Sequence, residues 1–204
     1  MPVDRDQLLR TTVRVSNTLR SEGVRFALAG GCAVFAHGGP VGDHDLDVYV
    51  TEQDAPVARK ALSAVGMRPV DPPEDWLTKV YDGDFLVDVI FRPNGRPVTP
   101  ELLDRAGERR VGATVAPVLP ATELLVDKLL VLCEHRCDFT GLLPIARAVR
   151  EQVDWRRVAS ETEPSPYARA FLVLLVDLDI VAADDVAPVP MAAPGVGRGE
   201  RRIP

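Results

Sequence analysis

The sequence predicts an α/β (α+β) fold: a small mixed sheet flanked by helices, followed by a C-terminal region made of helices alone. Three observations predict it. Short apolar runs of strand character alternate with helical patterns up to about residue 118. From residue 121 the strand character stops and leucine-rich helical patterns take over. A hydrophobic fraction of 46% in 204 residues is that of a globular chain able to fill one good-sized core and a helical appendage. The chain divides accordingly into an α/β core over 1–118, a helical region over 119–182 and a tail over 183–204. That tail is rich in proline, glycine and charge, and is expected to be disordered or loosely attached.

The elements follow in order. Residues 4–21 form an amphipathic helix, with Leu8, Leu9, Val13, Val15 and Leu19 roughly at helical spacing and Gly23 just past its end. "VRFALAG" is a strand, and "GCAVFAHG" a short helix opened by Gly30-Gly31 and broken by Gly38-Gly39-Pro40. "DLDVYV" is the second strand. "TEQDAPVARKALSAVG" is a helix with Thr51 as its cap and Gly66 at its close. "DWLTKVYDGDFLVDVIF" is a hairpin turning at Asp82-Gly83. A helix over 99–106 follows a turn, and "RRVGATVAPVLP" supplies a last strand or an edge hairpin. The helical region opens with "ATELLVDKLLVLCEHR", Thr122 being its candidate cap. It continues through "DFTGLLPIARAVREQV" and the segment 164–180. There is no internal repeat.

Charge and composition exclude several functions. The net charge is -6, the opposite of what a protein that grips nucleic-acid backbone usually carries, so bulk duplex-DNA binding is not expected. No run of about 18 apolar residues is present, so no membrane span is expected. The first residues carry acids and no apolar signal core, and Cys32, Cys133 and Cys137 have no scaffold spacing. A cytoplasmic location is the expectation.

Two carboxylates inside an apolar strand pose the functional question. Alternate side chains of a strand share a face, so Asp45 and Asp47 point together while Leu46 and Val48 face the core. In "FLVDVIF", Phe85, Val87, Val89 and Phe91 take one face and Asp88 the other. If the two strands pair, three carboxylates converge and repel one another. A hard divalent cation such as Mg2+ offsets that repulsion, because it prefers oxygen ligands and accepts carboxylates alongside waters and phosphate oxygens. Upstream, a strand leading through Gly30-Gly31 into a helix presents backbone N–H groups to an anion.

The order strand, Gly-Gly, helix, Asp-hydrophobic-Asp on the next strand, then one Asp in a later strand resembles the nucleotidyltransferase superfamily of DNA polymerase beta and the small antibiotic adenylyltransferases. The residues that carry it are Gly30-Gly31, Asp45-Leu46-Asp47 and Asp88, over 24–91. The helical half is similar to the AbiEii-like toxin, or minimal nucleotidyltransferase, branch. There "ELLVDKL", with Glu123 and Lys128, precedes Arg136 and Asp138. The resemblance implies a small, strongly twisted sheet and transfer of NMP from an NTP to a hydroxyl. It implies two Mg2+ ions on Asp45, Asp47 and Asp88, with Gly30, Gly31 and Lys128 on the triphosphate. The implied acceptor is RNA, a protein or a small molecule such as an aminoglycoside, and the toxin branch implies an antitoxin partner. One departure stands out: Asp43 and His44 occupy the place where the family often has a hydroxyl residue, and no arginine lies near. Asp43 either joins the acidic cluster or caps its loop. A non-catalytic nucleotide- or partner-binding module that kept the scaffold is the alternative.

Other chemistry-bearing residues have simpler readings. Cys133, His135 and Cys137 do not make a zinc site: at helical spacing the histidine points away from the thiols, and two thiols leave a tetrahedral site incomplete. The cysteines are expected to be small buried hydrophobes. His37 is expected at a helix end near the cleft. Asp138 is either a site residue or the cap of the following helix. The basic "GRGERR" of the tail is expected to be solvated.

Overall fold

The computed structural model describes residues 5–41 and 45–186. Helix α1 (Arg5–Ser21) buries Leu8, Thr12, Val15, Ser16 and Leu19, one stripe at the helical period. Gly23, at φ +68°, ends it: the Val24 amide turns back onto the Leu19 carbonyl at 2.9 Å. Then come β1 (Ala27–Leu28), α2 (Gly30–Ala36), β2 (Asp45–Tyr49), α3 (Ala55–Ala64), β3 (Arg68–Val70), β4 (Leu77–Asp82), β5 (Phe85–Ile90) and α4 (Pro100–Asp104). The sheet closes with the hairpin β6 (Gly107–Val111) and β7 (Thr114–Val118).

The seven strands form one mixed sheet in the order β3-β4-β5-β2-β1-β7-β6. β2 runs parallel to β5 and β1 parallel to β7, while the other neighbours are antiparallel. The β4–β5 hairpin turns where predicted, with Asp82 opposite Phe85 and Gly83 at φ +64°. The sheet, α1, α2 and α3 share a core that includes Leu28, Leu46, Val48, Leu62 and Val87.

The helices α5 (Ala121–Leu130), α6 (Leu142–Val149), α7 (Trp155–Glu161), α8 (Pro166–Asp177) and α9 (Ala183–Val186) complete the described chain. They build a second cluster around Leu125, Leu129, Val158, Phe171 and Leu175. Contacts at His37, the residue after α2, tie the two parts together. Its Nε2 lies 2.8 Å from the Leu119 carbonyl oxygen and its Nδ1 2.8 Å from Gln152 Oε1. The Gln152 amide donates to the His37 carbonyl at 2.9 Å.

Several boundaries differ from the sequence expectation. The strand over 24–30 makes regular ladder pairs only at Ala27–Leu28, and the Ala29 amide adds one further bond to the Asp47 carbonyl before Gly30 turns the chain into α2. Thr51 does not cap α3. It opens a turn in which the Asp54 amide reaches the Thr51 carbonyl at 3.0 Å, and the helix starts at Ala55 with Pro56 in its first turn. Thr122 does not cap α5 either: Pro120 precedes that helix, and the Thr122 hydroxyl accepts from the Asp154 amide at 2.9 Å. α5 stops at Leu130 instead of running on to Arg136. Cys133 and Arg136 exchange backbone hydrogen bonds across a tight turn, which leaves Cys133 and Cys137 exposed instead of buried. β3 and α7 are elements that the sequence pattern did not separate. The predicted tail begins with the short helix α9, and the rest of it lies outside the described residues. No helix among the described residues is long and apolar enough to cross a membrane.

Candidate active-site cleft

The parallel pairing of β2 with β5 places Asp47 directly beside Asp88 and Asp45 beside Leu86. Paired residues of neighbouring strands point to the same face, so Asp45, Asp47 and Asp88 meet on one side of the sheet. Each offers a carboxylate oxygen within 4.8 Å of the other two. Leu46 and Val48, on the opposite face, are fully buried.

The electrostatics of this trio are strained. Asp47 is pushed up to about 7, by burial first and then by the charges of Asp45 and Asp88, with Lys128 acting against them. Asp88 is pushed up to about 6, again by burial, with Lys79 opposing and Asp45 and Glu74 adding to the rise. Lys79 stands opposite Asp88 in the β4–β5 ladder. Asp88 is 9% exposed and its Oδ1 has no hydrogen-bond partner among the described residues. A buried carboxylate oxygen left unpaired is costly unless a ligand completes it. Clustered hard oxygen donors with one orphaned atom fit a divalent cation of the Mg2+ type.

Gly30 closes the other side. Its φ of +53° belongs to the left-handed region, and a Cβ placed there would lie 1.6 Å from Asp47 Oδ2. Glycine is therefore required twice over, by the backbone and by the close approach of the Asp47 carboxylate. The Ala29 amide donates to the Asp47 carbonyl at 3.0 Å, which fixes the Gly30-Gly31 turn against β2.

Gly30, Asp45 and Asp47 form one end of a cleft of about 750 Å³ whose other walls come from the β5 exit and from α5. Lys128 lines it, as do Arg92 and Arg136. No arginine stands just before the acidic motif in the sequence; the fold brings these two to the cleft from distant positions. Arg92 also pairs with Asp75, at 2.8 Å. Asp138 is exposed in the loop before α6 and does not line the cleft, its Oδ1 accepting from the Thr140 amide at 2.8 Å. Gly31 follows Gly30 in α2 without lining the cleft. Asp43 and His44 lie outside the described residues.

Sequence reasoning missed Tyr49, Trp76, Arg92, Asn94 and Asp127, all of which line the cleft. Only Tyr49 carried a local signal: it continues the alternation of Asp45 and Asp47. Glu123 of "ELLVDKL" is not in the cleft. It is 2% exposed and pairs with Arg157 at 2.6 Å and Arg105 at 3.2 Å, joining α5 to α7 and to the end of α4.

No family of known sequences matches the chain, and no curated protein matches it. Solved structures do. The antibiotic-resistance factor ANT(2'')-Ia in solution aligns over 85% of this chain and 96% of its own, with a TM-score of 0.59 at 13% identity. Its crystal structure with adenylyl-2''-tobramycin aligns over 82% and 98%, with a TM-score of 0.57 at 13% identity. The lincosamide adenylyltransferase LnuA, bound to lincomycin, aligns over 71% and 97%, with a TM-score of 0.51 at 12% identity. The chain has the nucleotidyltransferase fold.

Proposed function

We propose that this chain is a metal-dependent nucleotidyltransferase that moves NMP from an NTP to a hydroxyl group. The observation that carries the proposal is the meeting of Asp45, Asp47 and Asp88 beside Gly30 on this fold. Asp45, Asp47 and Asp88 would hold Mg2+, with two ions the expectation. Bound there, the metal supplies Lewis acidity to the phosphate and acceptor oxygens and offsets the carboxylate charge.

The protein's own groups account for the rest. Gly30, at the cleft end of the turn, would offer its backbone N–H to the phosphates, with Gly31 continuing the start of α2 behind it. Lys128, Arg92 and Arg136 would set cations among the cleft's carboxylates, where a polyanionic substrate could meet them. Positioning and electrostatic stabilisation dominate phosphoryl-type transfer, and these residues provide both.

The acceptor is the finer part of the proposal. Two of the structural neighbours hold adenylyl-2''-tobramycin and lincomycin, so small hydroxyl-bearing antibiotics head the list of acceptors, before RNA or protein. A toxin role with an antitoxin partner rests on the sequence resemblance of the helical half alone. The test is transfer of label from each α-labelled NTP, with Mg2+, to aminoglycosides, lincosamides, total RNA and cell extract. Transfer by wild type and its loss in Asp45→Asn support the proposal. Binding of Mg2+·NTP without pyrophosphate release under every acceptor would replace it with a non-catalytic binding module.

A further inference from the structure

Asp127, in the cleft wall, has both carboxylate oxygens engaged by protein groups. The Tyr49 hydroxyl donates to its Oδ2 at 2.8 Å. The Asn94 amide donates to its Oδ1 at 3.2 Å and to its carbonyl oxygen at 3.3 Å. These partners come from different elements. Tyr49 ends β2, two residues beyond Asp47; Asn94 lies in the turn after β5, which carries Asp88; Asp127 precedes Lys128 on α5. Asn94 holds a left-handed backbone at φ 52°, a conformation that asparagine adopts more readily than other side-chain-bearing residues. Two residues further on, Arg96 pairs with Glu161 at 3.2 Å, which attaches the same turn to α7.

Resting on the nucleotidyltransferase reading above, we propose that Asp127 is a positioning residue that joins β2, the turn after β5 and α5, and so sets the distance from the metal-binding carboxylates to the Lys128 ammonium. One side chain on α5 connects the strand that carries Asp45 and Asp47 with the turn that leaves the strand carrying Asp88, next to Lys128. Its hydrogen bonds are directed at the protein, and its role is exerted through Lys128. A shift of about 1 Å in such a group is enough to cost on the order of 100-fold in function.

The chemistry of the network supplies a discriminating pair of variants. Asp127→Asn keeps both contacts: its amide oxygen accepts from Asn94 and its NH2 donates to the Tyr49 oxygen. Asp127→Ala keeps neither. Affinity for each of the four Mg2+·NTP complexes is measured by calorimetry, with unfolding temperatures recorded alongside. Asp127→Asn is expected within ~3-fold of wild type, and Asp127→Ala about 10-fold weaker or more. Lys128→Ala weakens binding, and Asp127→Ala/Lys128→Ala is expected to be no weaker than Lys128→Ala alone, because the residue being positioned is already gone. Asn94→Gly, which suits the left-handed backbone while removing one contact, supplies the same cycle if Asp127→Ala fails to fold. Equal losses in Asp127→Asn and Asp127→Ala would overturn the positioning role and assign the charge to ligand contact. Additive losses with Lys128→Ala would overturn it as well. Wild-type protein that binds none of the four complexes would instead overturn the nucleotide reading beneath it.

Discussion

Asp47→Asn is expected to stabilise the metal-free protein while abolishing its response to Mg2+. In the folded chain Asp47 titrates at about 7, against 3.8 for an unperturbed carboxyl. The folded state thus binds this proton more tightly than the unfolded state does. The stabilisation is complete below about pH 4 and is lost as pH rises through about 7. Above that range the ionised, metal-free carboxylate costs on the order of 4 kcal/mol. Asp88 acts in the same direction over a window ending near 6. The amide of Asn has Asp47's shape without its charge, and relieves Asp45 and Asp88 of a neighbour. For a chain of this length each kcal/mol moves the unfolding midpoint by roughly 2–4 °C, so a rise of at least ~5 °C is expected in chelator at about pH 8. At about pH 5 the gap should shrink by more than half without closing, since the folded Asp47 is then protonated while the unfolded carboxyl is still largely ionised. The assay is thermal unfolding by circular dichroism at both pH values, with chelator or with Mg2+. Mg2+ should raise the wild-type midpoint and leave that of the variant nearly unmoved. A variant no more stable than wild type in chelator at about pH 8, or one that Mg2+ stabilises as much as wild type, would refute the reasoning.

Three further outcomes are expected. Gly30→Ala should lose about 1–2 kcal/mol to the left-handed backbone alone. It should also displace the Asp47 carboxylate that its Cβ would meet, so thermal unfolding and Mn2+ titration should both show a loss. Glu123→Ala should lower stability by about 2 kcal/mol, read by urea unfolding, because Arg105 and Arg157 lose their shared buried partner. Alkylation of the native protein should modify Cys133 and Cys137 only. Cys32 is 1% exposed with its thiol pushed up to about 11 by burial, and should react only after denaturation, as intact-mass measurement would show.

The features legible in the sequence are those fixed by local rules. Strand alternation alone puts Asp45 and Asp47 on one face, and the Gly-Gly pair marks a turn whose left-handed backbone glycine adopts without strain. The Asp82-Gly83 turn announced its hairpin. What escaped was set by contacts between distant segments. Tyr49 and Asp127 are 78 residues apart, and Asn94 and Asp127 are 33. Alternation puts Tyr49 on the Asp45 and Asp47 face, but nothing local separates Asn94 from an ordinary turn residue or Asp127 from an ordinary helix acid. Cys133 and Cys137 were misread for a related reason. "VLCEHR" contains no helix breaker, and the end of α5 at Leu130 follows from the turn that Cys133 and Arg136 close. Arg136 was part of the motif in the helical half, whereas Arg92 reaches the cleft only through the position of the β5 exit in the fold.

The segment between β2 and β5 explains how two separate acidic motifs become one site. Parallel strands cannot be joined by a tight turn, so the chain must cross over before β5 can lie beside β2. α3 and the β3–β4 extension perform that crossover, and the β4–β5 hairpin then sets where β5 begins. Register is the sensitive quantity, because a slip of one residue would send Asp88 to the face occupied by Val87 and Val89. Those two valines are fully buried, so the slipped register would bury an isolated carboxylate and expose apolar surface at once. The hydrophobic pattern of "FLVDVIF" thus holds Asp88 beside Asp47 despite their mutual repulsion. Core packing holds the charges together in advance of the ligand that neutralises them.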